Sequence, residues 1–265
     1  MGQNCERFIG MCLESVKDAD ALYYLDGGSI DNTLDITQDF LHNHSNIKPS
    51  QIDIHKYNQE DIMMNGKQRN FYLKYLKENF KGYWCLVLDA DEVVDDLSKI
   101  KEFIQRAPKD FLYSVKMRHF IGNLGLEDAS QPEHFVPHRL FYVDEGLYYD
   151  EVEHPILKSK KEMKSLPIRN ATIWHLAYLC DSWKIKEKYE NHMKKSNIHT
   201  KDYLNNWKKA HLFGQYPVKP INLLEIPKVI LKEFGVDWEE LYFVNRGLEV
   251  KHFIDVSKYK NYYKL

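Results

Sequence analysis

The chain has 265 residues, 43% hydrophobic and 29% charged, which is enough apolar material for a sizeable core and excludes a compositionally disordered protein. Lys plus Arg number 37 against 39 Asp plus Glu, so no global field draws the chain to nucleic acid. No apolar run nears the ~20 residues that span a bilayer, no secretory signal opens the sequence, and Cys5, Cys12, Cys85 and Cys180 lack C-x-x-C spacing, so a cytoplasmic protein with reduced core thiols is expected.

Residues 5–16 carry Ile9, Cys12, Leu13 and Val16 at i, i+3, i+4 and i+7, one face of a helix with Asn4 available as its N-cap. Residues 21–25 read as an apolar strand ending in Asp26-Gly27-Gly28-Ser29. Asp31 then caps a helix through about residue 41, with Leu34, Thr37, Phe40 and Leu41 inward. Residues 52–57 alternate as a third strand. A basic, polar loop at 65–70 opens a helix over 71–80, which feeds a continuous apolar strand at 84–88. Strand, helix, strand, helix, strand predicts a right-handed, doubly wound α/β domain with a mostly parallel sheet flanked by helices.

The rhythm changes after Glu92. Strands are expected at 111–120, 139–143 and 171–176, between loops rich in Gly, Pro, Glu and His. From about residue 181 the composition turns helical and basic, with Lys184, Lys186, Lys188, Lys194 and Lys195 in one stretch and a last helix near 228–234. The expected division is therefore a domain over 1–180 and a mainly helical extension over 181–265. That basic extension suits either an acceptor site or an anionic membrane surface, and a solvated charged face is its default reading.

The strand at 84–88 ends in Asp89-Ala90-Asp91-Glu92, and ligands of parallel sheets bind outside the carboxyl ends of strands. Three carboxylates there repel one another unless a positive group sits between them. Mg²⁺ or Mn²⁺ bridging to a ligand phosphate is the usual solution. Taken alone, D-x-D is equally a solvated turn. Asp26 to Thr33 (DGGSIDNT) offers two glycines for close backbone approach and a carboxylate for a base or sugar, or simply a turn and an N-cap. Lys67 and Arg69 suit diphosphate oxygens or a solvated loop. Asp150, Glu151 and Glu153, followed by His154, offer a general base or an acidic surface loop. His175 within Ile173-Trp174-His175 is a core histidine unless the fold brings it beside Asp91.

The ordered set Asn4-Cys5-Glu6, CLESV (12–16), YLDGGSIDNT (24–33), Arg69-Asn70, LVLDADE (86–92), HRLF (138–141), His154 and IWH (173–175) resembles the family 2 glycosyltransferases, in the branch that carries LDADE. The resemblance covers residues 4–180. It implies a GT-A fold and metal-dependent, inverting transfer of a hexose from a UDP-sugar to a glycan, lipid or peptide acceptor. Carried over by position, Asp26 and Gly27 line the uracil site, Arg69 lies near the nucleotide, and Asp89 faces the ribose or the metal shell. Asp91 and His175 join Asp89 as ligands of Mn²⁺ or Mg²⁺.

Two departures shape the expectations. The family opens with an apolar strand before the Asn4 motif, whereas this sequence begins Met1-Gly2-Gln3, so another segment is expected to fill the slot beside the 21–25 strand. Residues 241–244 or 250–254, from the same chain or a partner in a homodimer, are the candidates. Where the family has His-Glu, this chain has His154-Pro155, so Glu153 or Glu151 stands in as base. The rivals are a degenerate, non-catalytic transferase fold that binds nucleotide-sugar or a protein partner, and a nucleotidyltransferase, which the DGGSIDNT turn disfavours because it lacks a Lys-bearing phosphate loop.

Overall fold

The computed structural model describes residues 1–58, 61, 63–129, 137–152, 155–179 and 218–236. The first half runs α1 (Ile9–Ser15), β1 (Leu22–Asp26), α2 (Thr33–Asn43), β2 (Ser50–Ile54), α3 (Met64–Asn79), β3 (Trp84–Leu86). The second half adds β4 (Glu92–Val94), α4 (Leu97–Ile104), β5 (Phe111–Ile121), β6 (Asn123–Asp128), β7 (His138–Tyr142), β8 (Leu147–Tyr149), β9 (Leu157–Ser159) and β10 (Lys164–His175). After the basic stretch, whose expected helix lies outside the described residues, come β11 (Val218–Pro220), a 3-10 turn at Leu223–Glu225 and α5 (Lys228–Glu233). Among the described residues no helix is long and apolar enough to cross a membrane.

Among the described residues β1 and β2 form a two-stranded parallel sheet of their own, and in the larger seven-stranded sheet β5 pairs in parallel with β10. That larger sheet is antiparallel where β7 pairs with β3 and β5, and where β4 pairs with β10. The mostly parallel sheet expected from the strand–helix alternation is therefore a mixed one: in the first half only β1 and β2 pair in parallel, because β3 takes β7 as an antiparallel neighbour, and in the second half the parallel β5–β10 ladder is flanked by antiparallel strands. β10 starts seven residues before its expected beginning and keeps its place beside β5 through an irregularity between Ile168 and Thr172.

The slot beside β1 is entered by the chain's own first residues. Gly2 donates its N–H to the Leu25 carbonyl at 3.2 Å and accepts from the Gly27 N–H at 2.8 Å. On the other side, the Met1 amino group donates to the Leu88 carbonyl at 2.9 Å, and the Ala90 N–H donates to the Met1 carbonyl at 2.7 Å. Met1 and Gly2 therefore stitch the end of β1 to the Asp89-Ala90-Asp91 segment. The candidate fillers at 241–244 and 250–254 lie outside the described residues.

Asn4 does not cap α1, contrary to expectation. The helix begins at Ile9, and Asn4 instead accepts the Ile30 N–H at 2.9 Å while its own N–H donates to Ser29 Oγ at 2.9 Å. Cys5 donates its N–H to Thr33 Oγ1 at 2.8 Å, and Glu6 accepts from the Asn32 side chain at 2.9 Å. Two motifs some 25 residues apart are one hydrogen-bonded mesh, because each supplies the polar partners that the other's irregular backbone needs. Asp31 stands one position before the N-cap of α2, which is Asn32, and supports the helix start from there by accepting the Thr33 N–H at 3.1 Å and the Thr33 hydroxyl at 2.5 Å.

Residues 218–236 pack back on this body. Ile230 and Leu231 of α5 are fully buried against Phe8, Met11, Phe120 and Trp174, a burial that contributes about 1.5–3 kcal/mol per side chain before entropy is counted. β11 extends the sheet beside β6.

Helix α3 begins at Met64, so the expected loop at 65–70 is in fact its first turns. One stripe of this helix runs along the 147–151 segment. Lys77 Nζ donates to the Leu147 carbonyl, and Asn70 exchanges two hydrogen bonds with the Tyr149 backbone, at 2.9 and 2.8 Å. Gly66 abuts the next residues: a Cβ there would stand 2.5 Å from the Asp150 carbonyl oxygen and 2.6 Å from Glu151 Cα. Backbone cannot yield as a flexible side chain does, so Gly66→Ala is expected to cost about 1–3 kcal/mol. Urea unfolding of the variant checks this, and an unchanged midpoint contradicts the close packing of α3 on the 150–151 loop.

Candidate active site

The carboxyl ends of β1, β3 and β10 meet the Asp89–Glu92 segment, and each carboxylate there has a different environment. Asp89 is held between two guanidiniums. Arg69 Nη2 lies 3.1 and 3.0 Å from its two oxygens, and Arg139 Nη2 lies 3.2 Å from Oδ2. Burial opposes the charge, but Arg69 and Arg139 outweigh it and hold the Asp89 carboxyl well below the usual range. Glu92 is buried, accepts the Asp89 N–H at 2.8 Å and pairs with Arg139. Burial pushes the Glu92 carboxyl up against the pull of that guanidinium. Arg139, from HRLF, is thus the cation that lets two carboxylates share this strand end.

Asp91 faces the other way, toward β10. Its Oδ2 lies 3.7 Å from His175 Nε2, and its backbone carbonyl accepts the Leu176 N–H at 2.8 Å. The condition for reading His175 as more than a core residue, proximity to Asp91, is therefore met. Beyond His175 stands His119 of β5, with the two Nδ1 atoms 2.9 Å apart.

Asp26 is fully buried, and its carboxylate is engaged by the turn it starts. Oδ1 accepts the N–H groups of Gly28 and Ser29 at 2.7 and 2.6 Å, and Oδ2 accepts the hydroxyls of Ser29 and Tyr24 at 2.7 and 3.5 Å. A carboxylate offers about four acceptor positions, and all four are used. Asp26 therefore organises the turn, and Gly28, at φ +87°, supplies the backbone conformation the turn requires. Gly27 is buried against the Met1–Gly2 segment.

Of the base candidates, Asp150 pairs with Lys158 at 2.8 Å and accepts the Ile156 N–H. Burial raises its pKa, yet Lys158 and that N–H prevail and hold the carboxyl below the usual range, which makes it a poor proton acceptor near neutrality. Glu151 is exposed beside it, and Glu153 and His154 lie outside the described residues. Arg69 connects this loop to the acidic strand end, since its guanidinium lies 5.8 Å over the Tyr149 ring while bonding Asp89.

Residues 3–175 match the family model described as Glycosyl transferase family 2. The chain belongs to that family. Its fold is accordingly GT-A, and family 2 membership supports glycosyltransferase activity, with a nucleotide-sugar donor and an acceptor. No curated protein matches the chain. For a family 2 transferase the meeting of Asp91, His175 and the Arg69–Asp89 pair at one strand end is the arrangement to explain. Sequence reasoning passes over Arg139 and His119 as site residues. HRLF is the signal for the first, and no spacing links His119 to His175, 56 residues apart.

The buried His119 has a measurable consequence. Burial, with His175 beside it, depresses its pKa to about 3. The unfolded chain, with an ordinary histidine pKa of about 6.5, binds more protons below that pH, so this contribution to stability is complete above about pH 6.5 and is lost on acidification. Glu92, raised by burial, acts with the opposite sign, so the histidine is read by difference. Between pH 7.5 and 5.5 the metal-free wild type is expected to lose about 1 kcal/mol more than His119→Asn in urea unfolding. Parallel losses would contradict a buried, neutral His119.

Proposed function

We propose that this chain moves a hexose from a UDP-sugar to an acceptor hydroxyl with inversion at the anomeric carbon, assisted by Mn²⁺ or Mg²⁺. The observation that carries the reading is the Asp91–His175 pair at 3.7 Å, a carboxylate and an imidazole side by side at a strand end. An oxygen and a nitrogen donor suit Mn²⁺, and Mg²⁺ through its oxygen. Among the described residues no cluster of three or more such side chains exists, so diphosphate oxygens and water would complete the shell, as is usual for these ions. A bound ion there would supply Lewis-acid stabilisation of the departing diphosphate.

The protein's own groups have distinct parts. The mesh of residues 2–6 with the turn after β1 shapes the nucleoside pocket, with Gly27 in its floor and Asp26 fixing its form. Arg69, anchored by Asp89, faces the diphosphate with a fixed guanidinium. Glu151 or Glu153 takes the proton of the acceptor hydroxyl as its oxygen bonds to the anomeric carbon. The bond to UDP breaks, and its electron pair leaves with the diphosphate. Asp89 thus serves the nucleotide through Arg69, and its expected place in the metal shell gives way to the two arginines. The acceptor is a glycan, lipid or peptide, and contact with an anionic membrane through the basic 181–265 extension belongs to this proposal too.

Thermal unfolding with UDP, CTP or GDP, each with and without Mn²⁺, tests it. At 100 times its Kd, UDP with Mn²⁺ is expected to stabilise by about 2.7 kcal/mol, a rise on the order of 5 °C. Equal shifts with all three nucleotides, or a UDP shift indifferent to Mn²⁺, would refute the reading.

A further inference from the structure

His119 and His175 are direct neighbours across the parallel β5–β10 ladder, so their side chains leave the sheet on one face. The rings stand at 71° with centroids 4.8 Å apart, and each turns its Nδ1 toward the other, at 2.9 Å. That separation is a hydrogen bond with a single proton between the two nitrogens. Two protons would set N–H against N–H, and none would set lone pair against lone pair. The rest of the His175 ring follows from this contact: with Nδ1 committed to His119, Nε2 is the nitrogen that faces Asp91.

We propose that His119 is a positioning residue that accepts the Nδ1 proton of His175 and so presents His175 Nε2 as a lone pair beside the Asp91 carboxylate. The inference rests on the reading of Asp91 and His175 as the ion-holding pair, and it assigns a function to a residue outside that pair. Nδ1–H donation by a metal-facing histidine fixes both its tautomer and its ring angle, and loss of such a partner typically weakens metal binding 10–100-fold. An imidazole as the acceptor, in place of a carboxylate or carbonyl, keeps the outer partner uncharged. Its setting is a dry one, since His119 is 9% exposed on the sheet face beside His175. The opposite tautomer, with His119 donating, would place an N–H on His175 Nε2, and that nitrogen would then have no lone pair for a cation.

The test joins two readouts on the full chain. Long-range ¹⁵N–¹H spectra of the metal-free protein report which nitrogen of His175 carries the proton. Mn²⁺ affinity in the presence of UDP is read from electron paramagnetic resonance of free Mn²⁺. The wild type is expected to show His175 protonated at Nδ1. His119→Leu, which offers no acceptor, is expected to shift the proton to Nε2 and weaken Mn²⁺ binding 10–100-fold. His119→Asn, whose amide oxygen stands near the place of Nδ1, is expected to keep the tautomer and most of the affinity. A wild-type His175 protonated at Nε2, or wild-type Mn²⁺ affinity in His119→Leu, would overturn the assignment. If His119→Leu fails to fold, the wild-type tautomer and His119→Asn still decide it. Absence of Mn²⁺ binding in the wild type with the Nδ1 tautomer intact would strike the metal reading alone.

Discussion

Replacing Asp91 with asparagine is expected to lower kcat/KM for sugar transfer about 1,000-fold or more while leaving the fold intact. The magnitude follows from the several kcal/mol that Lewis-acid stabilisation of a leaving group supplies, at about 1.4 kcal/mol per tenfold in rate. Stability is spared because the Asp91 side chain is partly exposed, at 21%, while the close ion pairs of Arg139 are made with Asp89 and Glu92 and are kept in the variant. Asp89→Asn is expected to act by a different route. It leaves Arg69 and Arg139 facing a neutral amide, so it disturbs both nucleotide binding and stability. Steady-state kinetics beside thermal unfolding separates the two. Comparable kinetic losses with equal loss of stability in both variants would contradict the division of labour between the aspartates.

The largest stability effect is expected at Arg139. Its side chain is buried, with Glu92 and Asp89 both depending on it. Removing one partner of a buried ion pair typically costs 3–5 kcal/mol because the other charge is left uncompensated; Glu92, whose carboxyl burial already pushes up, relieves part of that by taking a proton, so Arg139→Met is expected to lose about 3 kcal/mol in urea unfolding. Glu92→Gln added to it removes the orphaned carboxylate and is expected to recover part of the loss. Asp89 keeps Arg69 in both variants. A double variant no more stable than Arg139→Met would show that the cost lies elsewhere than in the unpaired Glu92.

The first half of the fold was legible because its signals are local. Residues 9–16 carry helical spacing, 84–88 form a bounded apolar run, and Asp31 stands at a helix start where the structure uses it. Helix α4 carries signals of the same local kind: Asp96 caps it by accepting the Ser98 N–H at 2.9 Å, and Leu97, Ile100, Phe103 and Ile104 mark one face. The failures were tertiary. Asn4 looks like an N-cap, but its partners are Ser29 and Ile30, which no window around residue 4 contains. The 65–70 segment looks like a loop because it is polar, yet it is helical, since Gly66 and Asn70 are shaped to the 149–151 backbone and not to solvent.

The site divides in the same way. Asp91 and His175 were named from sequence, but their proximity depends on β10 lying between β4 and β5, a pairing across some 80 residues. The sequence treats the carboxylates of the 89–92 segment as one class. Burial separates them: Asp89 goes to two arginines, Glu92 goes inside, and Asp91 is left at the strand end beside His175. Asp26 is the clearest case of a residue type whose role could not be read from its letter. Its oxygens are taken by four donors, all of them within three residues of it in sequence, so it builds the turn.

The most direct test of the whole account is a crystal structure with UDP and Mn²⁺, located by anomalous scattering at the manganese edge. The account predicts one peak held by Asp91 and His175 and touching the diphosphate, with Asp89 still bonded to Arg69 and Arg139. A peak on Asp89 with Arg69 displaced, or UDP bound with no manganese between Asp91 and the phosphates, would contradict it.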